Sequence, residues 1–281
     1  MMLKCLQKLI IILLILPVQS FSTQPEKESS VQVIAHRGFS GKYPENTVLA
    51  VRKAAKLGVD YIEIDVHQSA DGRVIVIHDA TVDRTTNGSG RVSELTADEI
   101  QQLDAGSWKS DAFKGEKIPL LEDILPFISA DIKLLLEVKK GRKLYEGIEQ
   151  TILDILQEHG VKEHVVIQSF YTDVLKNFAR LDPDLPLHKL GVYQSPAFPF
   201  YIDHRPGVGR MHRISDVEQL NLYHKFLNRR ILRRISNKNL SVYTWTVNEP
   251  EDMIKMINLG VDGIITDYPD VLQNVLKKLN P

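Results

Sequence analysis

Short apolar runs recur along the chain, and stretches with helical periodicity separate them. Eight runs carry this signal, at residues 31–36, 59–66, 133–138, 165–170, 186–193, 217–223, 241–247 and 262–268. Near-continuous apolar runs rich in β-branched residues are typical of parallel strands buried on both faces. The alternation therefore predicts an α/β fold, and eight strands favour a closed (β/α)8 TIM barrel over an open sheet.

Most of these runs are followed by a segment with the pattern of an amphipathic helix. The clearest helical segments are 46–58, 143–160, 172–182 and 249–260. The last segment has Pro250 near its first helical position and Gly260 at its end, as helix termini prefer. Neither a GxGxxG loop nor a Walker-type loop follows a strand, which counts against a nucleotide-binding open sheet.

One long segment interrupts the alternation between the second and third strands. Residues from about 69 to 120 hold a hairpin-like run at 74–79, a Gly/Ser/Thr-rich loop and a short helix near 96–104. An insertion at the C-terminal end of a barrel strand lies beside the catalytic face, so this segment is expected to border the active site. Residues 194–216, rich in Pro, Gly, His and Arg, are interpreted as a loop over the same face.

The bulk composition is that of an ordinary soluble globular protein, with 43% hydrophobic and 25% charged residues in 281. This length suffices for one large single-core domain or two small ones. The formal net charge of −1 gives no reason to expect nucleic acid or an anionic membrane surface as a partner. The most basic run, at 229–234, is interpreted as a solvated helix face.

The N-terminus has a different pattern. Two lysines precede an apolar run, and small or polar residues follow it, which predicts a secretory signal peptide over 1–22 and a linker over 23–30. The domain would then span 31–281, exported to the periplasm or secreted, without a stable membrane span; an uncleaved anchor is the alternative. Cys5, the only cysteine, would leave with the peptide, so the mature chain would form no disulfide.

Two histidines lie where apolar runs end. His36 ends the first run and is followed by Arg37 and Gly38, and His78 ends the hairpin-like run. Because the C-terminal ends of barrel strands converge over the barrel mouth, these side chains are expected to meet. Histidine transfers protons near neutral pH, so His36 and His78 are candidates for general acid and base. Arg37 is a candidate to bind a phosphate.

Three carboxylates lie at neighbouring strand ends. Glu63 and Asp65 are two residues apart and project from the same face of the second strand, and Glu137 and Lys139 do the same on the third. Three converging carboxylates suit one divalent cation, Ca²⁺ or Mg²⁺, rather than zinc. Pairing of the acids with Arg and Lys is the alternative, but three carboxylates buried together are costly without a cation. Lys139 would add positive charge for a phosphate.

Further residues near strand ends could have either a structural or a substrate-binding role. Asn46 is expected to cap the helix that follows, while Glu45 is a candidate to bind an arginine or a substrate hydroxyl. Phe170 and Trp245 each end a strand and either line the substrate site or pack within the barrel. His67 is assigned no role.

Taken in order, seven motifs resemble the glycerophosphodiester phosphodiesterase family. They are AHRGFSGKYPENT, EIDVHQSADGRVIVIHDATVDRTTNGSG, IPLLED, LLLEVK, QSF, WTVN and DGIITDYP. The resemblance covers residues 31–272 and implies a TIM barrel with a small insertion after the second strand. It implies metal-dependent hydrolysis of glycerophosphodiesters to glycerol 3-phosphate and an alcohol. The site residues it implies are His36 and His78 as acid and base, Glu63, Asp65 and Glu137 as metal ligands, and Arg37 and Lys139 as phosphate contacts.

Several alternatives stay open at this point. The order in which the two histidines act is undecided, as is the choice between water and an adjacent glycerol hydroxyl as nucleophile. A phospholipase D-like enzyme acting on lysophospholipids or sphingomyelin is the enzymatic alternative, and a non-catalytic phosphodiester-binding module is the alternative from another class. Residues 194–240 depart from the family pattern, which leaves the preferred alcohol open. The oligomeric state is also open.

Overall fold

The computed structural model describes residues 31–140, 145–191, 193–194, 200–202, 208–210 and 217–279. The predicted signal peptide and linker, residues 1–30, lie outside the described residues. The strands in chain order are β1 (Gln32–Ala35), β2 (Tyr61–Gln68), β3 (Val74–Val76), β4 (Lys133–Val138), β5 (Val165–Ser169), β6 (Leu187–Gly191), β7 (Tyr193–Gln194), β8 (Phe200–Ile202), β9 (Val208–Arg210), β10 (Gln219–Tyr223), β11 (Ser241–Trp245) and β12 (Gly263–Thr266).

Eight of these strands close into a parallel barrel. Their order around the barrel is β1, β2, β4, β5, β6, β10, β11 and β12, and β12 pairs back onto β1. Every one of these neighbouring pairs is parallel. The eight predicted strands and the TIM-barrel prediction are confirmed. The hairpin-like run is confirmed as well, because β3 pairs antiparallel with β2.

Helices cover the outside of the barrel, apart from one that lies in the insertion after β2. They are α1 (Val48–Leu57), α2 (Ala97–Gln102), α3 (Leu121–Ile124), α4 (Ile148–Glu158), α5 (Thr172–Leu181), α6 (Arg229–Ser236), α7 (Pro250–Leu259) and α8 (Pro269–Leu279). The predicted end signals of the 249–260 helix hold, since Pro250 opens α7 and Gly260 ends it with φ 87°. No helix among the described residues is both long and apolar enough to cross a membrane.

The strands are largely apolar because both of their faces are buried. Outward side chains such as Ile62 and Leu134 pack under the helices in one large cluster. Inward side chains such as Ile34 and Tyr61 fill the floor of the barrel in a separate cluster. The charged residues Glu63, Asp65 and Glu137 lie above this floor, toward the C-terminal ends of β2 and β4.

The insertion after β2 has a hydrophobic core of its own. Its buried members are Ile75, Ile77, Val82, Val92, Ala97, Ile100, Ala105 and Ile118. The predicted short helix is α2, whose capping residue Thr96 accepts a hydrogen bond from the backbone N–H of Glu99. Lys109 Nζ donates to the carbonyl of Ser40 at 2.6 Å and so ties the insertion to the turn after β1. The insertion is a packed unit that borders the barrel mouth.

The interpretation of 194–216 as a loop is wrong for its described residues. The strands β7, β8 and β9 form a small antiparallel sheet that begins just after β6. Strands of two or three residues are too short to show a period of two in the sequence, so the pattern of Pro and Gly dominated the prediction.

Candidate active site

Two backbone N–H groups in the turn after β1 donate hydrogen bonds to Glu63. Arg37 N–H donates to Glu63 Oε2 at 2.9 Å, and Gly38 N–H donates to the Glu63 carbonyl at 3.1 Å. Both residues are left-handed, with φ 53° and 73°. A Cβ on Gly38 would lie 2.7 Å from the carbonyl carbon of Ala50 in α1, so only glycine fits this contact. The backbone of His36–Gly38 therefore holds one of the predicted metal ligands.

The structure brings the three predicted metal ligands together. Glu63, Asp65 and Glu137 are all buried, and each offers an oxygen within 4.8 Å of the others. Lys139 Nζ lies between two of them, 2.9 Å from Asp65 Oδ1 and 2.5 Å from Glu137 Oε1. Arg37 Nε lies 3.3 Å from Asp65 Oδ2. The two predicted phosphate contacts thus border the carboxylates directly.

The carboxylates are crowded enough to perturb their ionisation. Burial, followed by repulsion from Asp65 and Glu137, raises the pKa of Glu63 well above its usual range. Burial also raises the pKa of Glu137 to about 7, although Lys139 opposes the shift. Burial alone would raise the pKa of Asp65 too, but the positive charge of Lys139 leads the groups that hold it well below its usual range. Two buried carboxyl groups whose pKa values are raised, beside an ionised Asp65, fit a hard divalent cation, which would displace the protons of Glu63 and Glu137.

Asn46 does not cap α1, so that prediction is wrong. The cap is the next residue, Thr47, whose Oγ1 accepts from the backbone N–H of Ala50 at 3.2 Å. Asn46 is left-handed with φ 58°. Its Nδ2 donates to Asp65 Oδ2 at 2.9 Å, and its Oδ1 accepts from the Asp65 backbone N–H at 3.2 Å. Both contacts orient the carboxylate of Asp65.

His36 is paired with a carboxylate from the far end of the chain. Its Nδ1 donates to Asp267 Oδ1 at 2.6 Å, which leaves Nε2 for a reacting group. Asp267 also accepts from Ser40 Oγ at 3.0 Å and from Asn248 Nδ2 at 2.7 Å. These hydrogen bonds outweigh burial and hold the pKa of Asp267 well below its usual range. A charged Asp267 therefore orients the imidazole of His36.

His78 has a carboxylate partner of its own, which belongs to a longer chain of ion pairs. His78 Nδ1 lies 2.6 Å from Asp79 Oδ1. Arg84 Nε donates to Asp79 Oδ2 at 2.6 Å, and its two terminal nitrogens donate to Glu45 at 2.7 and 3.0 Å. Arg37 Nη1 donates to Glu45 Oε1 at 2.7 Å. Of the two roles open to Glu45, the structure shows the contact with arginines.

The pKa of His78 is lowered from its usual value. Burial is the main cause, and the positive charges of Lys139 and Arg37 act in the same direction. The carboxylates of Asp65 and Asp79 oppose the shift but do not cancel it. His78 is therefore predominantly neutral at neutral pH, a state in which Nε2 can accept a proton.

His67, to which the sequence assigned no role, supports the backbone at His78. Its Nε2 donates to the carbonyl of His78 at 3.1 Å, and its Nδ1 accepts from the hydroxyl of Tyr145 at 2.6 Å. Burial lowers the pKa of His67 to about 4, so the imidazole stays neutral and keeps one donor and one acceptor nitrogen.

Aromatic side chains form the opposite wall of the mouth. The rings of Phe170 and Trp245 meet edge to face, with centroids 5.6 Å apart, and Tyr223 lies 5.4 Å from Trp245. Trp245 Nε1 donates to the carbonyl of Asn221 at 3.0 Å. The two aromatic residues predicted at strand ends thus pack against each other, and both remain partly exposed.

A chain of neutral polar groups crosses the barrel interior below the mouth. Gln168 Nε2 donates to Glu63 Oε1 at 3.1 Å, and Asn221 Nδ2 donates to Gln168 Oε1 at 2.7 Å. Gln219 Nε2 donates to Asn221 Oδ1 at 2.8 Å and approaches His188 Nδ1 at 3.1 Å. Burial lowers the pKa of His188 to about 3, so it is neutral. This chain gives Glu63 a fixed partner from the other side of the barrel.

Sequence reasoning missed several of these residues. Asp267 follows an apolar strand and would have been found by the same rule that selected Glu63 and Glu137. Asp79 is adjacent to a predicted catalytic residue, which is a weaker signal. Arg84 lies in a polar loop, where the sequence carries no sign of which carboxylates it contacts. The contacts of Gln168 depend on the closure of the barrel.

Comparison with known proteins agrees with this geometry. The sequence profile of the "Glycerophosphoryl diester phosphodiesterase family" matches residues 36–271. The Bacillus subtilis protein YhdW is 40% identical over 240 residues, covering 85% of this chain and 96% of the relative. The glycerophosphodiester phosphodiesterase of Caldanaerobacter subterraneus subsp. tengcongensis is 38% identical over 249 residues, covering 88% of this chain and 98% of the relative.

A solved structure is similar over nearly the whole described domain. It is an Oleispira antarctica phosphodiesterase in complex with the product sn-glycerol-3-phosphate, with a TM-score of 0.79 and 30% sequence identity. The match covers 88% of this chain and 96% of that chain. The similarity therefore extends beyond the barrel motif to the insertion and the mouth.

Proposed function

Because the chain belongs to the glycerophosphoryl diester phosphodiesterase family, we propose that it hydrolyses glycerophosphodiesters to glycerol 3-phosphate and an alcohol, with one divalent cation and two histidines. The observation that carries this proposal is the cluster of three buried carboxylates at the barrel mouth, one of which, Asp65, lies close enough to His36 and His78 for their charges to lower its pKa. The resemblance of the chain to a phosphodiesterase bound to glycerol 3-phosphate supports the choice of substrate.

Glu63, Asp65 and Glu137 would hold the cation, Ca²⁺ or Mg²⁺. When bound, the cation supplies a positive charge that polarises the phosphate oxygens and offsets the charge developing in the transition state. Arg37 and Lys139 border the carboxylates and present further positive charge to the same phosphate. Together they would hold the phosphorus in a fixed position relative to the two imidazoles.

The two histidines would divide the proton transfers. One imidazole removes a proton from the nucleophile, and the other delivers a proton to the departing alcohol. The neutral state of His78 suits proton removal, while His36, whose Nδ1 is held by Asp267, would present Nε2 to the leaving oxygen for proton delivery. If the nucleophile is the neighbouring hydroxyl of the glycerol, a cyclic phosphate is released or hydrolysed afterwards. Detection of cyclic glycerophosphate during turnover would distinguish this path from direct attack by water.

Phe170 and Trp245 would contact the substrate at the mouth. Their edge-to-face pair forms an apolar wall at the C-terminal ends of β5 and β11. Trp245→Ala should raise KM for glycerophosphocholine several-fold and leave kcat nearly unchanged, because the wall binds ground state and transition state alike. An unchanged KM would remove Trp245 from the substrate site.

The direct test is release of glycerol 3-phosphate from a panel of glycerophosphodiesters. The purified chain should turn over glycerophosphocholine with Ca²⁺ or Mg²⁺, lose turnover with a chelator and regain it when the cation is restored. Lysophosphatidylcholine serves as the comparison substrate and should be turned over much more slowly. Unchanged turnover in the chelator would contradict the metal proposal while leaving the phosphodiesterase assignment intact.

Glu63→Ala tests the metal ligands separately from the chemistry. The variant should bind Ca²⁺ at least tenfold more weakly by calorimetry, because one of the three ligands is lost. High added cation should then restore part of the rate. Wild-type affinity in this variant would show that Glu63 is not a ligand.

We also propose that the chain is exported after cleavage near residue 22. The support is the charge and hydropathy order of residues 1–22. Fractionation of expressing cells, followed by N-terminal sequencing of the mature chain, tests this. An uncleaved chain in the membrane fraction would favour the anchor alternative, and a full-length chain in the cytoplasm would contradict export.

A further inference from the structure

A strongly basic segment lies on the barrel wall, outside the catalytic residues. Residues 219–248 contain six Lys and Arg residues and no Asp or Glu, although the formal net charge of the whole chain is −1. Helix α6 lies within this segment and buries Ile231 and Ile235 against the barrel. Arg229, Arg230 and Arg233 are exposed to solvent, and Arg234 is half-buried. The near-neutral charge of the chain therefore conceals a local concentration of positive charge.

We call the exposed part of this segment the basic face; its members are Lys225, Arg229, Arg230, Arg233 and Lys238. Within the part of the chain that the structure describes, no ion pair joins Arg229, Arg230 or Arg233 to a carboxylate. Some exposed basic residues elsewhere do have a carboxylate partner, as with Arg73 and Glu122 at 2.7 Å. The guanidinium groups of the basic face are thus available to a partner outside the chain.

The first turn of α6 is unfavourable for the helix itself, although Arg233 and Arg234 lie in the last turn, where the helix dipole favours cations. Arg229 and Arg230 occupy the first turn, where the positive end of the helix dipole repels cations. Arg229 and Arg233 are four residues apart, and like charges at this spacing destabilise a helix. No acidic residue lies in the first turn to offset either effect. A local conflict of this kind is expected at functional positions rather than on an ordinary solvated face.

Two clefts lined in part by arginines flank the helix, and they share Arg233. One, of about 500 Å³, is lined by Arg229 and Arg233 together with Ser236 and Ser241. Asp262 also borders it, but one oxygen of that carboxylate accepts from Val242 N–H at 2.8 Å. The second cleft, of about 420 Å³, is lined by Arg230, Arg233, Arg234, Asn237 and Lys238. Each has room for a phosphate group, and the planar fork of arginine matches phosphate oxygens.

We propose that the basic face docks on an anionic phospholipid surface. Phe226 is 44% exposed and lies next to Lys225, directly before α6. An exposed ring beside a row of cations is the pattern of interfacial binding, whereas single-stranded nucleic acid calls for a series of stacking rings. The proposal rests on the proposed function in one respect. Glycerophosphodiesters are deacylated phospholipids, so a lipid surface is where this substrate arises.

The test is sedimentation of the full chain with lipid vesicles at low salt. The chain should bind vesicles of phosphatidylcholine mixed with phosphatidylglycerol, bind vesicles of phosphatidylcholine alone far more weakly, and dissociate in high salt. Each cation near an anionic membrane strengthens binding about fivefold. The triple variant Arg229→Gln, Arg230→Gln, Arg233→Gln should therefore bind roughly 100-fold more weakly.

A control variant removes the same number of charges elsewhere. Lys56→Gln, Lys277→Gln, Lys278→Gln changes exposed lysines of α1 and α8 and should bind vesicles as the unaltered chain does. All three proteins carry the same residues 1–30, so any contribution of that segment cancels. Equal loss in both triple variants would show that only net charge matters and would overturn the proposal.

Two further measurements complete the test. Turnover of soluble glycerophosphocholine should be the same in the arginine variant and the unaltered chain. A failure of the docking proposal can therefore be told apart from a failure of the proposed enzymatic function. Displacement of the chain from vesicles by a small excess of double-stranded DNA would overturn the proposal in favour of nucleic acid. Vesicle binding that persists in the arginine variant would assign it to another surface.

Discussion

The two histidines of the mouth are held in contrasting ways. His36 and its partner Asp267 both belong to the barrel, and their side chains are 17% and 28% exposed. Ser40 and Asn248 also donate to Asp267. His78 and Asp79 lie at the start of the insertion and are 32% and 31% exposed.

The supports differ in kind as well as in exposure. Asp267 is held by neutral donors on the barrel rim, whereas Asp79 is held by the charged side chain of Arg84, which is itself 45% exposed. Arg84 also contacts Glu45, and Glu45 contacts Arg37 beside the carboxylates. The partners of His36 therefore all belong to the barrel. His78 is instead connected to Arg37 through Asp79, Arg84 and Glu45. The barrel supplies the partners of His36, and the insertion supplies the ion pairs that connect His78 to Arg37.

Removal of either imidazole should have the largest effect. His36→Asn and His78→Asn should each lower kcat for glycerophosphocholine by about 100-fold to 10,000-fold, because each removes a proton-transfer group. Thermal unfolding and Ca²⁺ affinity should change little, since neither side chain belongs to the core or to the carboxylate set. Near-normal turnover in one variant would show that the two histidines are not equivalent partners in the reaction.

Replacement of the carboxylate partners should separate the two pairs. Asp267→Asn should lower kcat by about 100-fold, because the amide no longer fixes the tautomer and orientation of His36. Asp79→Asn should cost only about tenfold, since that pair is more exposed and solvent can substitute for part of the contact. Equal losses in matched steady-state assays would mean that the difference in burial has no catalytic consequence.

Substitution of Arg84 tests whether the insertion connects His78 to Arg37 in a way that matters for catalysis. Arg84→Met should lower kcat about tenfold, because it releases Asp79 and Glu45 together and loosens both His78 and Arg37. Arg73→Met is the matched control, since Arg73 lies in the same insertion and pairs with Glu122 on the surface. The control should keep turnover within about twofold, as exposed ion pairs contribute little. A similar loss in both variants would point to general destabilisation of the insertion.

The smallest expected effect is on the ionisation of His78. In an NMR titration its imidazole should protonate below the usual pKa of 6.5, because burial, Lys139 and Arg37 lower the pKa. The neutral form then persists as the pH falls through 6.5. Asp79→Asn should lower the midpoint further, since the Asp79 carboxylate favours the imidazolium. A midpoint above 6.5 in the unaltered chain would contradict the environment described for this residue.

Much of the site follows from one rule about strand ends. Acids and histidines after apolar runs led to His36, Glu63 and Glu137, and the same rule leads to Asp267. The rule fails for Asn46 and Thr47, where two adjacent polar residues compete for the cap and only the backbone conformation decides. The rule also fails for residues such as Arg84 and Gln168, whose partners depend on how the insertion packs and how the barrel closes.

The sequence by itself determined the barrel and the reactive groups at its mouth. Strand and helix periodicity, and the chemistry of residues at strand ends, are local properties that need no knowledge of distant neighbours. Only the tertiary structure decided the partners of those groups. Asp267 meets His36 across 231 residues because β12 closes onto β1, and Arg84 reaches Glu45 because the insertion packs over the mouth. Contacts at such separation depend on barrel closure, which no stretch of sequence encodes alone.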